Sequence, residues 1–482
     1  MYLQNRKRVP LALLIIAAAA LLVFTTDGVG ANQPRYAETS QALSEINSDP
    51  IEKQTTIPII PGLSGWGVRS FGGSGRHLTP PSTRIMMVTN LMDRGTGTLR
   101  ACVEAAEPRT CVFEVGGVIA LSRDLKIKSP YITIAGQTAP HPGISLINAG
   151  VRVATHNVLI QHIAIRPGDS GEGSPPQERD AISIGTPPPY MARNVVLDHV
   201  SLTWAVDENL STVYELTRDV TVANSIIAEG LYDSIHPKGP HSKGVLIGDH
   251  SKRISLQRNL LAHNEERNPY IKPGTQVEFV NNIVYGWGPR GPWALCNLTN
   301  NEEFDAPILL NFIGNVYRAG PTSAEGAPVY AKRMSAASKI YLKDNLGQPR
   351  AMTSPLSSPI ASLPSNIHPV IRPLPSLSSQ TSILPSSKVI DVVLPSVGSR
   401  PFFRAPPDER IVTNVRERRG GLKNCTAKCS TATGTINNTR GSFRRLKLPL
   451  SPRAIEGNGY TQLESWLHAY ARHVETGEAE PR

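Results

Sequence analysis

The segment HSKGVLIGDHSKRISLQRNLLAHNEERNPYIKPGTQVEFVNNIVYGWG, His241 to Gly288, decides the fold. Its apolar residues alternate with polar ones in RISLQ and QVEFV, the period of two that sends neighbouring side chains to opposite faces of a strand. Between the strand-like runs stand Lys243, Arg267 just before Asn268-Pro269, Lys272 and the pair Asn281-Asn282. Cations recurring on a strand-turn-strand rhythm suit a groove for an acidic polymer.

Outward from this segment the same unit repeats. YITIAG begins at 131, NVLIQHIAI at 157, NVVLDHVSL at 194, DVTVANSII at 219, RISLQRNLL at 253, QVEFVNNIV at 276, PILLNFIGNV at 307 and KIYLKDNLG at 339, with intervals of 23 to 37 residues. The shorter intervals match one turn of a parallel β-helix, and the longer ones leave room for loops. Each strand ends near an asparagine or histidine, among them Asn224, Asn259, Asn282, Asn315 and Asn345. Stacked turns place such amides over one another, where each bonds its copy in the next coil. A β-sandwich also yields many short strands, but it needs compact Asn-Gly or Asp-Gly hairpins. Here the connections are long, uneven and rich in charge, which favours parallel stacking.

A second block, ERDAISIG (178–185) followed by NVVLDHVSLTWAVDENLST (194–212), sets Glu178, Asp180, Asp198, Asp207 and Glu208 at strand ends in consecutive turns. Carboxylates on adjacent parallel strands lie about 5 Å apart and ask for a cation. Calcium, which takes oxygen ligands in loose geometry, is the natural choice. Asp198-His199, inside a strand pattern, reads as a structural pair that bonds neighbouring loops.

These motifs resemble the pectate lyases. In that family a lysine in H-x-K-x-x-x-I-G, an arginine in R-x-P-x-x-R/K and a following N-N line the substrate cleft; Lys243, Arg267 with Lys272, and Asn281-Asn282 match them. A D-A-I segment and a D-H-x-S-x-x-x-x-x-D segment supply calcium carboxylates there, matched by Asp180 and Asp207, with Glu178 where the family often has aspartate. Four residues after Asp207, where many relatives carry a further acid, this chain has Ser211, and Glu208 stands ready to compensate.

The resemblance runs from about Ile57 to Asn345. It implies an all-β, right-handed parallel β-helix and a calcium-assisted β-elimination across a 4-linked uronate such as polygalacturonate. The implied metal ligands are Asp180, Asp207, Glu178 and Glu208. Arg267 is implied as the base that removes the C5 proton, Lys243 as the partner of the uronate carboxylate, and Lys272 as a further substrate contact. An arginine base predicts turnover that climbs between roughly pH 7 and 9. Two other readings share the architecture: a glycoside hydrolase, which needs two or three acids around a water, and a non-catalytic polysaccharide-binding coil.

Bulk features agree on compartment and partner. MYLQNRKRVPLALLIIAAAALLVFTTDGVGA has Arg6, Lys7 and Arg8, an apolar run from Leu11 to Phe24 and small residues up to Ala31, the anatomy of a secretory signal peptide rather than of a membrane span. Lys plus Arg number 50 against 39 Asp plus Glu, so the expected secreted protein, extracellular or periplasmic, attracts polyanions. No zinc finger, basic zipper or RNA-binding signature points to nucleic acid, and no membrane association is expected beyond the signal peptide. An acidic polysaccharide fits both charge and compartment, and a monomer is expected.

Of five cysteines, Cys102 and Cys111 suit a short-loop disulfide, Cys425 and Cys429 a second, and Cys296 is left over. The expected organisation is a signal peptide (1–31), a leader (32–56), the coil domain (57–350), a Pro/Ser-rich linker (351–399) and a C-terminal extension (400–482). GTLRACVEAA from Gly97, with Thr98 as N-cap, predicts a helix covering one end of the coil. Leu463, Trp466, Leu467 and Tyr470 predict an amphipathic helix docked near the C-terminus.

Overall fold

The computed structural model describes residues 57–248, 250–289, 291, 306–324, 329–330, 334–348, 361–374, 382–425 and 441–481. They fall within one compact unit, Gln54–Arg482. The expected signal peptide and leader, Cys296 and Cys429 lie outside the described residues.

Parallel strands of the coil stack into three sheets, and a further parallel pair joins Val329–Tyr330 to Ala361–Ser362. The first has ten: Arg84–Val88, Arg109–Phe113, Ile132–Ala135, Val158–Gln161, Arg193–Asp198, Arg218–Ala223, Lys252–Gln257, Gln276–Val280, Leu309–Ile313 and Lys339–Lys343. The second has six: Leu125–Ile127, Val151–Val153, Ile182–Ile184, Glu208–Thr212, Lys243–Ile247 and Tyr270–Ile271. The third runs from Val115–Ala120 to Leu346–Gln348, and a short antiparallel strand, Ser442–Phe443, pairs with its first member. Because each interior strand pairs in parallel with its equivalents one coil before and one coil after, the chain is a parallel β-helix.

The register explains why these strands are rich in Val, Ile and Leu. Ile134, Ile160, Leu197, Val222, Leu256, Phe279 and Phe312 stack in one column, each fully buried. Burial of each such side chain contributes about 1.5–3 kcal/mol, and a slip of one residue would turn the column outward.

From Val158–Gln161 onward, each coil bends from the first sheet into the third at one residue with positive φ: His162 (56°), His199 (50°), Asn224 (50°), Arg258 (54°), Asn281 (53°), Gly314 (63°) and Asp344 (52°). Asn tolerates this left-handed region better than most residues, and glycine is free of its penalty. The residue that follows carries the ladder. Asn259 Nδ2 donates to Asn282 Oδ1 at 3.0 Å, Asn282 to Asn315 at 3.2 Å and Asn315 to Asn345 at 2.9 Å. Asn224 is one position out of that column. Ser225 holds the rung and receives Asn259 Oδ1 on its backbone N–H at 3.0 Å, while Asn224 Nδ2 turns to Asp198 Oδ1 at 2.9 Å.

Helix α1, Leu99–Glu104, is capped by Thr98, whose hydroxyl accepts from the Ala101 N–H, and it sends Leu99, Cys102 and Val103 into the core. The Cys102–Cys111 disulfide ties it to the first sheet, and Cys425 is disulfide-bonded as well. The span expected to be a linker holds helix α2, Ser386–Ser396, whose Val389, Val393 and Leu394 pack with Ile226, Leu260 and Ile283 on the outer face of the third sheet. Sequence reading weighed the proline and serine content and passed over this valine stripe. Helix α3, Pro406–Glu417, covers the same face through Ile411, Val412 and Val415. Helix α4, Gln462–Thr476, has a Thr461/Glu464 capping box and buries Leu463, Trp466, Leu467 and Tyr470 against Val112 and Ala135. None of the described helices is long and apolar enough to cross a membrane.

Candidate active site

Of the three coil sheets the second has the fewest strands, and its strand beginnings carry the charge. Ile182 is in register with Leu210, Glu208 with Lys243, and Lys243 bridges Glu266. Asp180, Glu208, Lys243 and Glu266 therefore succeed one another along consecutive coils at one end of the sheet. Asp180 Oδ1 accepts the Glu208 N–H at 3.2 Å, which fixes the first two together.

Carboxylate oxygens of Asp180, Asp207 and Glu208 lie within 4.8 Å of one another. Burial, and then the neighbouring Asp207 charge, push Asp180 up to about 7. Burial pushes Asp207 up too, but a 2.8 Å hydrogen bond with His241 Nε2 and the nearby positive charges hold it below the usual carboxylate range. His241 stacks on His236 with ring centroids 3.6 Å apart, and burial lowers the His236 pKa. Both histidines escaped the sequence reading, although His241 opens the H-x-K motif and could have been found there.

Ser211, where the resemblance led one to expect an acid, donates its hydroxyl proton to Asp180 Oδ2 at 2.7 Å, and its oxygen lies 2.9 Å from Ser183 Oγ, whose hydroxyl is free to donate to it. It supplies a hydrogen bond where a carboxylate would supply charge. Glu178 does not join the cluster. It ends a short 3₁₀ turn, is exposed, and meets Arg152 at 3.4 Å. Arg152 in turn is held by Asp124 at 2.5 Å.

The two principal cations touch carboxylates directly. Arg267 Nη1 donates to Glu208 Oε1, and buried Lys243 Nζ donates to Glu266 Oε1. Burial draws the Arg267 guanidinium below its ordinary value, against the pull of Asp207. Its Cζ stands 5.5 Å from the centre of the Tyr270 ring. Lys272 is elsewhere: its N–H donates to Ile247 O at 2.8 Å and its stem passes Gly248. Gly248 follows Lys243 by five residues, roughly 16 Å of strand.

As a group these residues offer hard oxygen donors beside fixed positive charge, an arrangement that holds a divalent cation and an anionic ligand together. No protein-family model matches the chain. Probable pectate lyase C of Neosartorya fischeri is 35% identical over 271 residues, 56% of each chain. Probable pectate lyase C of Aspergillus terreus is 36% identical over 265 residues, 55% of each. The chain thus spans little more than half the length of the curated relatives it matches. Among solved structures, jun a 1, the major allergen from cedar pollen, aligns with a TM-score of 0.49 at 16% identity, over 69% of this chain and 91% of that one. Over rather more than half its length, this chain is similar to proteins named pectate lyases.

Proposed function

We propose that the protein is a secreted polysaccharide lyase that cleaves 4-linked polygalacturonate by β-elimination with calcium as cofactor. The observation that carries the reading is the register column in which Asp180, Asp207 and Glu208 converge beside Arg267 and Lys243. The donor set fits calcium: three carboxylates whose oxygens come within 4.8 Å of one another, with burial and then the Asp207 charge raising Asp180. Calcium, when bound there, would supply positive charge against the substrate carboxylate.

The chain's own residues do the rest. The C5 proton lies next to a carboxylate, so its removal builds negative charge onto an already anionic group. Lys243, buried at the strand end, is the cation that meets this charge in a site of low dielectric. Arg267 is the base. A free arginine at neutral pH costs about 7 kcal/mol to deprotonate, and its burial reduces that cost. Lys272, one strand-length on, is placed to meet another residue of the same polymer.

Incubation with polygalacturonate, with and without a calcium chelator, tests this. Absorbance near about 235 nm, the ultraviolet band of an unsaturated uronide rather than a hydrolysis product, should grow only with calcium. New reducing ends without that absorbance would transfer the assignment to a hydrolase.

A further inference from the structure

A second constellation lies on the first sheet's bends, apart from the acidic triad. Successive coils put His162 and His199 one above the other in the left-handed corner, ring centroids 5.0 Å apart and planes within 10°. Asp198 immediately precedes the second histidine, and Glu475 reaches in from the last turn of α4. Among them His162 Nε2 is 3.1 Å from Glu475 Oε1, His199 Nδ1 is 3.0 Å from Asp198 Oδ2, and His199 Nδ1 is 3.5 Å from Glu475 Oε1. All four ligand-type atoms lie within 4.8 Å of one another.

Three features separate this arrangement from a plain ion pair. First, His162 Nε2 and His199 Nδ1 are buried, and although each stands 3.1 or 3.0 Å from a carboxylate oxygen, neither makes a well-aligned hydrogen bond with it. Second, each ring is also engaged by a backbone carbonyl, from the last residue of α2 or from the turn just beyond it. His162 Nδ1 donates to Ser399 O at 2.9 Å, and the Ser396 carbonyl hydrogen-bonds His199. That is the outer support which fixes the tautomer of metal-binding imidazoles. Third, Asp198 is oriented by Gln161 Nε2 at 3.0 Å and Asn224 Nδ2 at 2.9 Å, and the cluster opens into a cleft of about 230 Å³ that also borders Asn224 and Arg258.

We propose that His162, Asp198, His199 and Glu475 form a transition-metal site, with zinc as the ion it takes. Donors at about 2.0–2.1 Å around a tetrahedral zinc stand about 3.3 Å from one another, close to the separations found here. Two imidazoles select against calcium. Two carboxylates balance the ion's charge. The site joins α4 and the turn after α2 to the coil bends, so its role is to clamp the C-terminal segment on the barrel.

The test uses the full chain without a histidine tag, stripped with chelator and then equilibrated with zinc or cobalt. Expected is one tightly held zinc, a tetrahedral cobalt spectrum, and a rise in Tm on zinc addition. His199→Asn, which keeps a residue at ease in the left-handed corner, and Glu475→Gln should each weaken zinc more than tenfold and abolish the Tm rise. Asp207→Asn, in the acidic triad, should leave both intact. Failure of the wild-type protein to hold zinc, equal zinc binding by wild type and His199→Asn, or loss of the site in Asp207→Asn would each overturn the proposal. Circular dichroism of the variants separates a lost ligand from a lost fold, and the wild-type measurement stands without them.

Discussion

Arg267 reaches over the strand Lys243–Ile247 to bond Glu208, a residue 59 positions earlier and two coils away. Lys243, lying between, bonds Glu266. The two ion pairs thus interlock across three coils, and each cation is held in place by a carboxylate of another coil.

Arg267→Lys should retain the fold and the acidic triad yet lose turnover by about 10²–10⁴, the range of a positioned general base, with little change in KM. Initial rates by ultraviolet absorbance check it. Activity within a few-fold of wild type would remove Arg267 from the role of base.

Wild-type turnover should climb from roughly pH 7 to pH 9, because burial lowers the Arg267 pKa and the base form gains population as pH rises. An initial-rate profile at saturating calcium is the measurement. A flat or acidic profile contradicts the assignment.

Asp180→Asn should raise the calcium concentration for half-maximal activity by about tenfold or more, equivalent to at least about 1.4 kcal/mol. Glu178→Gln should move it far less, since Glu178 faces Arg152 and not the triad. Calcium titration by calorimetry reads both, and equal effects would put Glu178 back among the ligands.

Ser211→Asp places a carboxylate where Ser211 now donates to Asp180. Without calcium the variant should melt below wild type, because like charges are forced together. With calcium the difference should shrink or reverse. Paired thermal melts decide it; a melting shift independent of calcium would separate Ser211 from the cation site.

His263 is fully buried in another left-handed corner, and burial draws its pKa down to about 4. The unfolded chain, with histidine near 6.5, binds the proton first as pH falls. This group's contribution is therefore complete above about 6.5 and is lost between about 6.5 and 4, amounting to about 3 kcal/mol. His263→Asn should flatten that acid limb in urea titrations at several pH values. Identical limbs would mean that other groups govern acid stability.

The fold was legible because one physical device recurs: the apolar column takes Val, Ile, Leu or Phe at the same place in successive coils, and that repetition is visible in a single sequence. The asparagine ladder was legible too, except at Asn224, where the neighbouring Ser225 takes the rung and sequence alone offers two adjacent candidates. Asp180, Asp207 and Lys243 were read from strand ends and from motif spacing, and the register puts them on neighbouring coils at one end of the second sheet. Glu178 was named from its place in the family motif, and a 3₁₀ turn, which the motif does not reveal, carries it out to Arg152 and away from the triad. The partnership of Asp198 and His199 with His162 and Glu475 joins segments up to 313 positions apart. No local periodicity encodes such a meeting. Helix α2 was obscured for a different reason: its apolar stripe is short and embedded among prolines.

The antiparallel strand Ser442–Phe443, lying against Gly116 and Val115, occupies the open rim of the third sheet at its first coil. A stack of parallel strands otherwise ends in unpaired N–H and C=O groups, which invite strands from other molecules. By folding its own tail back over that rim, the chain closes off a route to end-to-end polymerisation, and shortening the tail before residue 442 would reopen it.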